Sequence, residues 1–113
     1  MHEIGVMSDA LAIALERAER HGARKIHRIH LRVGSLSGVD PEALALAFEV
    51  VQQGSIALGA TLDVETIPLA CACPSCGLEF TPPDFDYQCP GCDFHGAEVI
   101  RGRELELASL ETS

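Results

Sequence analysis

At 113 residues the chain is long enough for one compact core with a small appendage and too short for two full-sized domains. Apolar residues make up 47% and aromatic residues only 4%, which excludes a disordered chain and leaves Leu, Val, Ile and Ala to build the core. The formal charge is −9, and all 8 bases (Arg17, Arg20, Arg24, Lys25, Arg28, Arg32, Arg101 and Arg103) lie outside residues 33–100, so that acidic stretch would be repelled by nucleic acid.

From Ile4 to Ala18 the apolar residues Ile4, Met7, Leu11, Ala14, Leu15 and Ala18 recur at helical spacing, and Gly22 is placed to close the helix in left-handed backbone. "RKIHRIHLRVGSL" then switches to period two, with Ile29, Leu31 and Val33 on one face and Arg28, His30 and Arg32 on a wet face. In "GVDPEALALAFEVVQQGS" Asp40 is an N-cap candidate and Pro41 fits the first helical position, followed by Leu44, Ala47, Phe48 and Val51 on one side. "TLDVETIPLA" and "GRELELASLE" alternate Leu62 and Val64, then Leu105 and Leu107, against acids, which predicts two more half-buried strands.

The expected class is α+β: a small antiparallel-type three-stranded sheet covered by two helices. A cysteine segment interrupts what would otherwise be a hairpin between the last two strands. Residues 1–69 plus 101–113 are expected to form the α/β domain, and residues 70–100 an inserted zinc-ribbon-like domain. No run approaches the ~18 apolar residues that span a bilayer, and no basic leader precedes an apolar run, so a cytoplasmic protein without membrane contact is expected. An exposed edge strand in so small a sheet is compatible with either a monomer or a weak homodimer.

The inserted segment carries "CPSC" (Cys73, Cys76) and "CPGC" (Cys89, Cys92). Each C-x2-C turn points two sulfurs at one spot, and two turns together supply the tetrahedral thiolate cage that Zn²⁺ accepts. Redox pairs or core cysteines fit less well, because a redox pair usually stands alone in a βαβ setting. With few apolar groups of its own, this segment needs the metal to fold. Protein ligands fill every position, so the zinc is structural. Cys71 is left over as an unpaired thiol on a strand end, and His95 reads as a surface residue near the second pair.

The chain opens Met1-His2-Glu3. Histidine is too large to permit removal of the initiator methionine. The α-amine of Met1, the backbone nitrogen of His2 and its imidazole can form two fused chelate rings on one ion, with the Glu3 backbone nitrogen in reach. Deprotonated amides enforce square-planar geometry, which suits Ni²⁺ and Cu²⁺ and not Zn²⁺. No coherent set of nucleophile, base and oxyanion donors is present, so an enzyme is not expected; His21, His27 and His30 lie at a helix end or along a strand.

The opening MHE, "VGSLSGVDPEAL" at residues 33–44, the "GS" and "GATL" after the second helix, and the twin CxxC segment together resemble the HypA family of nickel-insertion accessory proteins. The resemblance runs in order and spacing over essentially the whole chain. It implies a nickel metallochaperone for [NiFe]-hydrogenase, and in some organisms urease, with Ni(II) as cargo held at Met1, His2 and Glu3. Zn(II) would be held at Cys73, Cys76, Cys89 and Cys92. The implied partners are a HypB-like maturation GTPase and the hydrogenase large subunit. In some relatives a carboxylate matching Asp40 joins the nickel, and histidines flank the CxxC pairs; here His95 follows the second pair but Glu79 the first. A zinc-ribbon adaptor that binds only proteins is the alternative, and it would tolerate loss of His2.

Overall fold

The computed structural model describes residues 2–83 and 86–113. Helix α1 (Glu3–Arg20) buries Met7, Leu11, Ala14 and Ala18, one side chain per turn on a single stripe. Its end is closed by two backbone bonds, Ala23 N–H to the Ala18 carbonyl (2.9 Å) and Gly22 N–H to the Glu19 carbonyl (3.0 Å). That pattern requires a left-handed residue at Gly22, which sits at φ 69°. Strand β1 (Ile26–Gly34) follows, then a 3₁₀ turn and helix α2 (Pro41–Val51). The Asp40 carboxylate accepts the Glu42 N–H at 3.0 Å, so Asp40 is the N-cap its position before Pro41 predicts.

Strands β2 (Thr61–Ile67) and β6 (Leu105–Thr112) flank β1 in a sheet of order β2-β1-β6. The α+β class holds, but the sheet is mixed and not antiparallel throughout. β1 pairs with β2 in parallel, from Arg28↔Thr61 to Gly34↔Ile67, and with β6 antiparallel. The reason is connectivity: α2 carries the chain back along the sheet, so the strands it joins must run the same way. For the same reason β2 and β6 are not arms of one hairpin; they occupy opposite edges.

The β6 ladder slips between His30 and Leu31, where Ala108 is the extra residue. This bulge explains why Leu110 joins Leu107 against the core although the two are three positions apart. Ile26, Ile29, Leu31 and Val33 of β1 meet Met7, Leu11, Leu44, Ala47 and Phe48 in that core. On the open face, Arg28 is paired with Asp63 and with Glu111 (3.2 Å), Arg32 with Glu106 (2.9 Å), and His30 with Glu65 (2.8 Å). Water screens pairs this exposed, so their main effect is on register. Both acids of Arg28 draw its pKa upward, the Asp63 hydrogen bond most of all.

Between β2 and β6 lie β3 (Ala70–Ala72), β4 (Glu79–Phe80) and β5 (Glu98–Arg101), a second sheet of order β4-β3-β5, antiparallel throughout. These strands are too short for periodicity to reveal. Where the chain passes between the sheets, backbone meets backbone. The Leu36 N–H donates to the Gly102 carbonyl and the Gly34 N–H to the Glu104 carbonyl, each at 2.7 Å. A Cβ on Gly34 would lie 2.1 Å from the Gly102 carbonyl carbon and oxygen, and one on Gly102, at φ +117°, would lie 2.8 Å from Leu69 Cα. The Gly102 N–H in turn reaches the Glu104 carboxylate at 2.8 Å. Glu104's own N–H and that of Gly102 outweigh burial and hold this carboxyl below its ordinary pKa.

Gly34→Ala is expected to destabilise the protein by roughly 1–3 kcal/mol, because backbone cannot yield as a side-chain tip would. Gly5→Ala, with nothing within 4 Å of the added methyl, is expected to stabilise α1 by about 0.5–1 kcal/mol. Urea unfolding of the two variants reads both, and equal midpoints would show that the Gly34 contact relaxes freely.

Candidate metal centre

The two CxxC turns are built from the same backbone bonds. At CPSC the Gly77 N–H donates to the Cys73 carbonyl (2.8 Å) and the Cys73 N–H to the Leu78 carbonyl (2.9 Å). At CPGC the Asp93 N–H donates to the Cys89 carbonyl (2.9 Å) and the Cys89 N–H to the Phe94 carbonyl (2.8 Å). This arrangement puts the fourth residue after each first cysteine in left-handed backbone, Gly77 at φ 80° and Asp93 at φ 64°. Glycine adopts it freely, and aspartate is among the few side chains that tolerate it. The turns also interlock: a methyl on Gly91 would come within 3.0 Å of Leu78, which extends from the first turn over the second.

The four sulfurs converge. Cys73 and Cys92 Sγ are 3.5 Å apart, Cys76 and Cys89 Sγ 3.6 Å apart, and all four lie within 4.8 Å of one another. A tetrahedron with metal–sulfur bonds of about 2.3 Å has edges near 3.8 Å, so the residues fit a thiophilic divalent ion. Cys73 and Cys89 are buried while Cys76 and Cys92 face outward. Among the described residues this is the only group of three or more His, Cys, Asp or Glu side chains placed to share an ion.

The electrostatics separate the sulfurs. Burial opposes ionisation of Cys73, but the N–H groups of Cys76 and Ser75 and the Cys92 thiol overcome it and bring the pKa down to about 7. At Cys92 the Phe94 N–H favours the thiolate, yet the Cys73 sulfur, burial and the other two sulfurs together push the pKa up to about 12. At Cys76 the Leu78 N–H is likewise outweighed, chiefly by the Cys89 sulfur, and the net direction is up. Without an ion, therefore, Cys73 forms its thiolate readily while Cys76 and Cys92 hold their protons.

Cys71 stands apart. It is fully buried in β3, opposite Phe80 and Val99, outside the sulfur cluster, and burial pushes its thiol pKa up. His95 is exposed and outside the cluster, and Glu79 is paired with Arg101 at 3.1 Å.

At the other candidate site, Met1 lies outside the described residues. His2 is exposed at the start of α1; its carbonyl accepts the Val6 N–H (2.9 Å), and its imidazole takes no part in capping. The Glu3 carboxylate accepts the Asp40 backbone N–H at 3.2 Å. The start of α1 is thereby held against the start of α2, 37 residues away. Sequence reading missed this contact, since nothing local marks a bond between two helix starts. Asp40, which sequence reading offers as the α2 cap, holds that place: its carboxylate accepts the Glu42 N–H.

Residues 1–112 match the family model described as hydrogenase/urease nickel incorporation, metallochaperone, HypA. The chain is 47% identical over 111 residues to a hydrogenase maturation factor HypA of Picosynechococcus sp., covering 98% of each chain. It is 38% identical to the factor of the same name from Chloroflexus aurantiacus, covering 99% of each. It also superposes on the solution structure of the Ni metallochaperone HypA from Helicobacter pylori with a TM-score of 0.69 and 31% identity, covering 99% of this chain and 97% of that one.

An ion entering the cluster must displace the protons that Cys76 and Cys92 hold. Zinc titration slightly above neutral pH, in buffers of differing protonation enthalpy, is expected to release at least two protons per ion. Since acid returns those protons, the ion should be shed as pH falls. A proton count near zero, with affinity independent of pH, would show that the thiols ionise before the ion arrives.

Proposed function

This chain belongs to the HypA family of metallochaperones for hydrogenase and urease nickel incorporation, and from that premise we propose that it captures Ni(II) at Met1, His2 and Glu3 and passes it to another protein. The observation that carries the reading is the bond from the Asp40 N–H to the Glu3 carboxylate, beside an exposed His2 whose imidazole takes no part in capping the helix. The α-amine, amide and imidazole donors of this terminus are square-planar donors, and the sulfur cluster is a tetrahedral one. Geometry thus keeps nickel and zinc apart on one chain.

Nickel binding here replaces the proton of the α-amine, ordinarily held to about pH 8, and those of the amides. The complex weakens as pH falls and can be dismantled one donor at a time by an incoming ligand. Cys73, Cys76, Cys89 and Cys92 hold Zn(II) as a closed structural site. Residues 1–69 plus 101–113 form the nickel-handling domain and residues 70–100 the zinc-bearing one. The protein acts in the cytoplasm without catalysing a reaction, with a HypB-like maturation GTPase and the hydrogenase large subunit as partners. In support, no helix among the described residues is long and apolar enough to cross a membrane.

Native mass spectrometry of the zinc-loaded, untagged chain is expected to show one added nickel, lost in His2→Ala and in a form carrying two residues ahead of Met1. Equal nickel uptake by all three would favour a zinc-bearing adaptor that only binds proteins.

A further inference from the structure

Beside the terminus lies an exposed apolar surface that the core leaves uncovered. Ile4 is 58% exposed, Leu46 66% and Val50 61%. With Glu3, Ala43 and Ala47 they line one shallow hollow of about 300 Å³ where α1 and α2 meet. Leu46 and Val50 are one turn apart on α2, facing away from Leu44 and Phe48, which go into the core. Three large aliphatic groups held together in water are a common mark of a contact surface.

Charge narrows the occupant. Glu3 lines the hollow, and on the helical wheel Glu42 and Glu49 fall on the same stripe of α2 as Leu46 and Val50. α2 has no base, and the first base of α1, Arg17, is about 20 Å along the helix from Ile4. A second copy would bring a like-charged rim against this one, and an anionic membrane or nucleic acid would be repelled in the same way. A surface with an apolar centre and a rim of lysine or arginine meets no such opposition.

We infer that the Ile4–Leu46–Val50 hollow is the docking surface for a partner protein whose contact face is apolar at its centre and basic at its rim. The inference rests on the reading that the chain hands nickel to another protein, and it adds where that protein sits. Glu3 belongs both to the hollow and to the proposed nickel terminus, so a partner docked here has its own donors next to the cargo.

The test is a binding titration of the full zinc-loaded chain against the purified cognate maturation GTPase at low and moderate salt, with sedimentation to read self-association. Leu46→Asp with Val50→Asp is expected to weaken binding at least tenfold while melting temperature and nickel stoichiometry stay at wild-type values. Glu49→Lys is expected to weaken binding at low salt and flatten its salt dependence. Wild-type affinity in both variants overturns the inference and leaves the nickel reading standing. So does an effect confined to self-association, which would make a second copy the occupant. Absence of GTPase binding by the wild type overturns the partner reading and the docking inference with it, whereas loss of nickel uptake with docking intact faults only the terminal site.

Discussion

The central strand β1 carries the larger part of the molecule. Its Ile26, Ile29, Leu31 and Val33 go under the helices, while Arg28, His30 and Arg32 face outward to acids on both neighbours. Because side chains alternate with period two, a slip of one residue in either ladder would bring the cations toward the core and the aliphatics into water. Hydrophobic burial therefore sets the register, and the ion pairs reinforce it on the open face. The two shifts in the β1–β6 ladder let an irregular spacing of apolar residues satisfy one core.

The second sheet is organised differently. Its strands hold only a few residues each, and the groups it buries are chiefly Cys71, Cys73, Cys89 and small side chains. What organises it is the doubled turn, in which main-chain N–H groups are aimed at sulfur and the four sulfurs at one point. So little apolar burial leaves room for an ion at that point to supply the stability that a larger domain draws from its core. The glycine contact at Gly34, Gly102 and Leu69 joins the two sheets through backbone atoms, which bend less readily than side chains.

The charge distribution gives these parts a common direction. The bases are concentrated on the second half of α1, on β1 and around the last chain crossing, where the sheet's acids meet those of β1. The surface around the helix starts and the sulfur cluster is left acidic. Cation capture and contact with basic proteins are favoured there, and polyanions are not.

Much of this was legible in local sequence. Both helices of this HypA-family chain, their buried stripes, the Gly22 closure of α1 and the Asp40 cap of α2, the wet face of β1 and the four convergent cysteines each follow from spacing over a few residues, because propensity, capping and chelate turns are short-range. The direction of β2, the separation of β2 from β6, the short strands β3 to β5 and the bulge at Ala108 were not legible, because each is fixed by which segment packs beside which. The same holds at the terminus. The sequence supplied the donors of residues 1 to 3, but only the packing of α1 on α2 brought Glu3 to the Asp40 N–H and left Ile4, Leu46 and Val50 together in water. A bond between residues 37 positions apart has no local signature. It exists because the core closes around β1.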